Sequence, residues 1–495
     1  MPEAHSRGTA TAAAKEQVLE QSLLDQIVHE GRVGTDAVAR ERGKNLIKEF
    51  VAQVLEGAMT VGRDAEMMIS ARIAQIDHLI SLQLNEVLHH EAFQKLESSW
   101  RGLKYLVDHS ETGTQLKIRV LNATKKELLR DLQRAPEFDQ SALFKKIYEE
   151  EYGVFGGAPF ASMIGDFEFG KTPEDVELLE RISQVAAAAH APFISAANPD
   201  MLNLEDWTQL DAPRDLGKIF DNTLYAKWKS FRNSEDSRYV CLALPRTLGR
   251  LPYGKDKPVE AFNYQEDVDG TDHKKYLWTN AAYSVGARLT ASFATYGMCV
   301  AIRGVEGGGL VEGLPVHNFY TDEGDVAMKC PTEVPITDRR EKELADLGFM
   351  PLVHCKGTDY AAFFSMQTCQ KPKVYDSESA NANARLSAQL PYIMAVSRFA
   401  HYLKAMMRDK IGSFMSRDEA ETFLNRWITN YVTPDDSASP EVKAKRPLRE
   451  ARVEVTEVAG KPGVYRAVMF LRPHFQLDEL SVSLRLVSEL PAPAK

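Results

Sequence analysis

The chain has 495 residues, 44% of them hydrophobic, and a formal net charge of −10. That length exceeds one compact domain, so two or three are expected, with ample apolar material for buried cores. The acidic balance argues against a general nucleic-acid binder, which needs a net basic face.

Residues 1–14 read as a disordered tail without the apolar core of a signal peptide. No run approaches the ~20 uninterrupted apolar residues of a membrane span. A cytoplasmic location without membrane insertion is therefore expected. Cys241, Cys299, Cys330, Cys355 and Cys369 form no C-x-x-C pair, the pattern of scattered reduced thiols.

An amphipathic helix over 16–30 sets Leu19, Leu23, Leu24, Ile27 and Val28 opposite Glu20, Gln21, Asp25 and Gln26, and Gly31 and Gly34 end it. A helix this short is marginal in water alone, so it must dock on its own chain or in a partner's groove. Thr35 caps a second helix carrying Leu46, Ile47, Phe50, Val51, Val54 and Leu55. The stretch 64–107 reads as helical almost throughout, with Ile69, Ile73, Ile76, Ile80, Phe93, Leu96, Trp100 and Leu103 on its apolar side. These faces exceed what one core buries, so part of them should pack on another protein.

Alternation of Leu116, Ile118 and Val120 with Lys117 and Arg119 predicts a half-buried strand after residue 114. Helices over 125–132 and 141–148 lead into a glycine turn at Gly153, Gly156 and Gly157, then a strand over 163–169. Thr172, Pro173, Glu174 and Asp175 open the next helix: a cap, a proline in the first turn and two acids. Further strands are expected over 192–196, 239–244, 298–302, 350–355 and 361–365, with helices over 175–189, 224–232, 280–296 and 339–347. Strands alternating with helices predict an α/β sheet covered on both faces. A long helix over 386–410 follows, then a second from a capping box, Ser416 with Glu419, carrying Phe423, Leu424, Trp427, Ile428 and Tyr431. Residues 433–447 read as a linker or long loop. Three strands, over 451–458, 464–472 and 480–490, close the chain.

No constellation rises to a catalytic site. The glycines of 153–157 precede their strand and lack the Gly-Lys-Ser/Thr ending of a phosphate loop. Gln265, Asp267, Asp269 and Gly270 fail the calcium-loop frame and read as a solvated acidic loop. Gly304 to Gly313 carries two acids and no lysine, which favours a tightly turning or mobile loop over phosphate binding. Adjacent His89 and His90 diverge on a helix, and neighbours His354 and Cys355 point to opposite faces of a strand, so neither pair works together. The basic cluster of Lys443, Lys445, Arg446, Arg449 and Arg452 reads as a solvated linker. No cofactor or metal is expected.

Two stretches carry a resemblance. Gly156-Gly157-Ala158-Pro159-Phe160 followed by Ile164-Gly165-Asp166-Phe167-Glu168-Phe169, and Phe93-Gln94-Lys95-Leu96-Glu97-Ser98-Ser99-Trp100-Arg101-Gly102-Leu103, resemble the large subunit of the type VI secretion contractile sheath, the TssC/VipB or EvpB family. The likeness runs from about residue 16 to the C-terminus. It implies a non-enzymatic heterodimer with the small sheath subunit (TssB/VipA), six protomers per ring in a helical polymer around an inner Hcp tube, mounted on a baseplate. Contraction would expel the tube with no nucleotide bound by the sheath. The competing hypothesis is a cytosolic α/β enzyme whose site is assembled from residues distant in sequence.

The domains expected are 1–60 (tail and amphipathic helices, for small-subunit pairing and ATPase recognition), 61–375 (central sheath domain) and 376–495 (C-terminal domain facing the tube and joining protomers). The fold class is α/β, with a helical N-terminal region, a central α/β domain, and a C-terminal helix pair plus strands that join an intermolecular sheet. By resemblance, Leu23, Leu24, Asp25, Gln26, Ile27 and Val28 form the helix gripped by a ClpV-type AAA+ ATPase, with the apolar residues in its groove. Asp418, Glu419 and Glu421 are candidate contacts to basic residues of the tube. Leu480, Val482, Leu484 and Leu486 lie on one face of a strand of about ten residues, long against the usual ~5–6. Its unblunted edge suits pairing between protomers.

Overall fold

The computed structural model of the chain describes residues 37–55, 65–321, 323–413, 415–459 and 464–476. The chain divides into two compact units, Met1–Leu84 with Val259–Tyr264 and Asn85–Pro258 with Gln265–Lys495. In the first, the described helices are α1 (Ala37–Leu55) and most of α2 (Ala65–Leu88). The apolar side of α2 read from sequence is open: Ile69, Ile73, Ile76 and Ile80 are all 41–54% exposed.

The second unit is built on a sheet. Its first strands are β1 (Met163–Phe169), β2 (Phe193–Ala197), β3 (Val240–Leu244), β4 (Thr247–Leu248), β5 (Trp278–Thr279) and β6 (Leu310–Val311). After them come β7 (Asn318–Tyr320), β8 (Val326–Met328), β9 (Met350–His354), β10 (Ala361–Phe363), β11 (Leu448–Glu457) and β12 (Tyr465–Pro473). Six of these form one sheet in the order β1-β2-β3-β9-β10-β6. The first four run parallel, with Met163 opposite Phe193, Ile194 opposite Cys241 and Ala243 opposite Met350. β10 and β6 join antiparallel.

The period-2 alternation of a strand fills two cores here. In β3, Val240, Leu242 and Leu244 face a core with α4 (Lys125–Arg134), α5 (Pro173–Ala189) and α6 (Ala226–Asn233), whereas Cys241 and Ala243 face one with α7 (Ala282–Tyr296). The Thr172 hydroxyl caps α5 by accepting from the Asp175 amide at 3.3 Å, and His190 ends it in the left-handed region at φ 51°. Just before β9 in sequence, α8 (Asp338–Asp346) adds Leu344 to the first of these cores. A third core belongs to the C-terminal layer, formed by α10 (Leu390–Asp409), α11 (Arg417–Thr429) and the β11–β12 ladder; α9 (Glu378–Leu386), which buries no residue, precedes it, and the short α12 (Pro440–Lys445) follows α11. Phe399, Leu424, Ile428, Val453 and Val455 are buried in it.

Five expectations are corrected. The helix over 64–107 breaks after Leu88: His90 is extended (φ −68°, ψ 127°) and its ring accepts from the Ala92 amide, capping α3 (Glu91–Asp108). The helix over 386–410 starts anew at Leu390, because the 366–368 backbone takes the bonds there: Leu390 N–H donates to Met366 at 3.0 Å and Thr368 N–H to Ala388 at 3.0 Å. Pro391, with no N–H to place, suits the first turn that follows. Residues 114–120 alternate in part, with Leu116 and Ile118 half-buried but Val120 exposed, and form no strand because no neighbouring strand pairs with them among the described residues. Residues 298–302 alternate too, yet Met298 and Val300 point into the third core and Cys299 and Ile302 into the second. That segment bridges two cores instead of joining a ladder. Within 433–447, Ser439 and Pro440 start the α12 turn.

The 304–313 loop turns tightly, as one reading had it. A side chain at Gly308 (φ 90°) would put its Cβ 2.2 Å from the Ala301 carbonyl oxygen.

Candidate functional site

Helix α3 presents two different faces. Phe93, Leu96 and Trp100 are 37%, 56% and 66% exposed. The opposite side carries Gly102 and Leu106, both buried, against α7. A Cβ at Gly102 would lie 2.3 Å from the Tyr283 ring, so the two helices approach over a glycine. The 93–103 motif therefore reads as one packing device, with Trp100 outward, Gly102 at the crossing and Arg101 beside it.

Charge fastens this helix. Arg250, its side chain 4% exposed, grips the buried Glu266 through Nη1 at 2.6 Å and Nη2 at 2.9 Å, and donates from Nε to Glu97 at 2.8 Å. Arg101 adds a bond to Glu97 at 2.7 Å and one to the Tyr253 hydroxyl at 3.0 Å. Burial alone would raise the Glu97 carboxyl, but Arg250 and Arg101 hold it below the ordinary carboxylate range. His89 also meets Glu266, at 3.3 Å. Neither His89 nor Glu266 was singled out as a network member in the sequence, since the two lie 177 positions apart.

At the C-terminal layer, the capping box forms as read. Ser416 accepts from the Glu419 amide at 3.3 Å, and the Glu419 carboxylate accepts from the Ser416 amide at 2.7 Å. That bond holds the Glu419 carboxyl below its usual range. Glu421 accepts from the Val455 amide of β11 at 3.0 Å. Of the three proposed tube contacts, Asp418 and Glu419 are exposed and Glu421 is half-buried; the Asp418 side chain is 79% exposed beside Arg417. The ATPase-recognition residues Leu23, Leu24, Asp25, Gln26, Ile27 and Val28, and the strand residues Leu480, Val482, Leu484 and Leu486, lie outside the described residues.

A second charge network sits at the ends of β1 and β3. Glu333, fully buried, receives a fork from Arg246 (Nε to Oε2 2.7 Å, Nη2 to Oε1 2.5 Å). His273 Nε2 is 2.8 Å from Glu333 and 3.7 Å from Asp206. Asp206, His273 and Glu333 have the types and proximity of a metal ligand set, but the guanidinium already occupies both Glu333 oxygens and would repel a cation. The arrangement is an ion-pair network tying the loop after β8 to the sheet. Glu168 nearby is pushed up by burial, against the pull of Arg246.

His354 and Cys355 do diverge: His354 is partly buried and Cys355 exposed. The His354 ring instead bonds the backbone of the next turn, its Nε2 2.8 Å from the Thr358 carbonyl oxygen.

The glycine-turn motif is likewise architectural. Gly156 has φ 78°, and a Cβ at Gly157 would sit 2.1 Å from the Glu151 carbonyl oxygen. Arg408 of α10 donates from Nη2 to the Tyr152 carbonyl and from Nη1 to the Val154 carbonyl, both at 2.6 Å. A sheet closed on both faces, two charge networks used up in packing and an open apolar helix side describe a building block of an assembly. The EvpB/VC_A0108 tail sheath N-terminal domain profile matches residues 70–370, and the EvpB/VC_A0108 tail sheath gpW/gp25-like domain profile residues 379–490. The chain belongs to this tail sheath family, and it is a structural subunit of a contractile sheath.

It is 52% identical over 458 residues to the type VI secretion system sheath protein TssC1 of Pseudomonas aeruginosa, which covers 92% of each chain. Among solved structures it is similar to a chain of the anti-feeding prophage baseplate (8% identity, TM-score 0.35, 63% of this chain and 66% of that one). A chain of that prophage's contracted helical sheath also matches (11% identity, TM-score 0.27, 62% and 66%). The chain thus spans just under two thirds of either structure's chain. No described helix is long and apolar enough to cross a membrane.

Proposed function

We propose that this chain is the large subunit of a cytoplasmic type VI secretion sheath, that it pairs with a small subunit of the TssB/VipA kind, and that it polymerises with six protomers per ring around an Hcp tube. Mounted on a baseplate, the sheath contracts to expel the tube. The chain does this without catalysis, by rearranging interfaces that have two stable packings. Residues 1–60 serve small-subunit pairing and ATPase recognition, 61–375 form the central sheath domain, and 376–495 face the tube and link protomers. Leu23, Leu24, Asp25, Gln26, Ile27 and Val28 are offered to a ClpV-type ATPase after contraction. Asp418, with Glu419 and Glu421, meets the tube, and Leu480, Val482, Leu484 and Leu486 pair with strands of neighbouring protomers.

The observation that carries this reading is the 52% identity to TssC1 over 92% of both chains. The open row of Phe93, Leu96 and Trp100 supports the pairing, since an apolar helix side of that kind marks a protein contact. Co-expression with the small subunit should give filaments in negative-stain micrographs, and Leu96→Asp with Trp100→Asp should abolish them and the co-purification. A well-behaved monomer that neither captures the small subunit nor forms filaments would refute the proposal.

A further inference from the structure

We propose that a strand of the small subunit adds to the central sheet at its β1 margin, pairing main chain to main chain with groups that β1 and residues 117–122 leave unbonded. The inference rests on the subunit pairing proposed above and names a place on this chain where it happens.

The six-stranded sheet ends differently on its two sides. β6 is two residues long, whereas β1, with seven, is the longest strand and stands outermost. Self-contained proteins keep their edge strands short or covered, because free N–H and C=O groups recruit other chains. In β1 the odd-numbered residues bond toward β2. Met163 N–H donates to the Pro192 carbonyl at 2.8 Å, and the Phe169 carbonyl accepts from the Asn198 amide at 2.9 Å. Between them, Ser195 Oγ donates to the Gly165 and Phe167 carbonyls at 2.9 and 2.8 Å, across a bulge in the register. The even-numbered residues Ile164, Asp166 and Glu168 therefore turn their main-chain groups outward, and all three are half-buried. Lys125 Nζ takes the Glu168 carbonyl at 2.7 Å. The main-chain groups of Ile164 and Asp166 have no partner among the described residues.

A second unbonded row runs beside this edge. Residues 117–122 belong to no helix, turn or strand, and none of their main-chain N–H or C=O groups is hydrogen-bonded among the described residues. Three side chains lay the segment along β1. Ile118 packs with Ile164 on the cluster of Leu106 and Tyr283, so the segment and β1 face the same layer of α3 and α7. The Arg119 guanidinium lies 5.5 Å from the centre of the Phe160 ring, before β1 begins, and the Lys125 ammonium 4.6 Å from that of Phe169, where β1 ends.

The exposed side chains fit a strand inside a sheet. Val120 and Leu121 are 70% and 53% exposed, and neighbours on a strand point to opposite faces. Apolar residues on both faces suit a strand covered on both, as in the parallel part of this sheet. An added strand supplies what is missing: main-chain donors and acceptors for the unbonded rows, and alternate side chains to lie beside Val120 and Leu121. A partner helix has no free main-chain row to offer along its length. The small subunit is the occupant, because α3, whose open apolar row is assigned to it, ends at Asp108, shortly before this segment.

The test uses the full-length chain co-expressed with the small subunit. Hydrogen–deuterium exchange is read on peptides spanning 117–122, in the complex and in the chain alone. Alone, these amides should exchange at about the rate of an unfolded peptide, and the complex should slow them by about a hundredfold or more. Val120→Pro and Leu121→Pro each remove one N–H, on opposite edges of the segment, without removing a bond that the chain makes by itself. At least one of them should weaken capture of the small subunit by about tenfold or more, and Val120→Ala and Leu121→Ala, which keep the N–H, should weaken it less. Circular dichroism separates lost capture from lost fold, and the exchange measurement needs no variant. Unprotected 117–122 amides in the complex overturn the proposal, and so do folded proline variants that both capture as the wild type does. Alanine variants as damaging as the prolines would assign the contact to side chains and overturn it too. Protection already present without the small subunit would make a second copy the occupant, again against the proposal. A wild-type chain that captures no small subunit overturns the subunit pairing together with this inference, whereas capture with 117–122 unprotected overturns this inference alone.

Discussion

His401 is buried on α10, where its Nε2 lies 2.8 Å from the Ala189 carbonyl oxygen at the end of α5. Its Nδ1 is buried with no partner. Protonation would therefore create an unsatisfied buried N–H beside Arg398, His190 and Lys404, three groups that already disfavour a further charge. Burial first, and those neighbours second, push the ring down to about 4, against the opposing pull of the Ala189 bond. In the unfolded chain the ring titrates near ~6.5.

Because the folded value is depressed, the stability this ring contributes is present above about pH 6.5 and is lost as pH falls toward about 4. From about pH 7.5 to about pH 5 the linkage relation gives a loss of about 2 kcal/mol from this one group. His190, also pushed down by burial and by Lys404, adds a loss of the same sign. His401→Gln keeps a donor for Ala189 and removes the titration. Urea unfolding followed by tryptophan fluorescence suits the measurement, because Trp427 packs on Phe399 in the same layer. The wild type should lose about 2 kcal/mol more than the variant over that interval, measured on the same preparation. Parallel pH dependences would refute the reasoning and mean that the ring accepts its proton freely in the folded state.

Two further substitutions probe the frame. Arg250→Ala would leave Glu266 buried without its guanidinium, so a loss of about 3–5 kcal/mol in urea unfolding is expected; a change under about 1 kcal/mol would mean that the network is solvated. Gly102→Ala would press a methyl group into the Tyr283 ring, and a loss of about 1–3 kcal/mol with intact secondary structure by circular dichroism is expected. A neutral result would show that the helices part at little cost.

Local chemistry was legible where it is local. Thr172 with Pro173, and Ser416 with Glu419, mark helix starts through contacts three residues apart, and the structure places both caps where the letters put them. The strand Met163–Phe169 was equally plain, being apolar and bounded by turn residues. What failed was whatever depended on a partner. Residues 114–120 and 298–302 have strand letters, but a strand exists only when a neighbour pairs with it. His90 is a weak cap by type, and its break in a long helix has no signal within a few residues. The Arg250–Glu266–Glu97 network and the Arg246–Glu333–His273 network join loops and elements whose meeting is set by the whole sheet.

The segment 298–302 also has a mechanical meaning. Met298 and Val300 are anchored in the C-terminal layer, while Cys299 and Ile302, on the same few residues of backbone, are anchored under the sheet. A pull on β11 and β12 therefore reaches the central strands through side chains seated on both sides of one short stretch of chain. Arg408, bound to the 152–154 carbonyls, is a second rivet between the same two bodies. Sliding these layers past one another would mean unseating those side chains and breaking both Arg408 bonds.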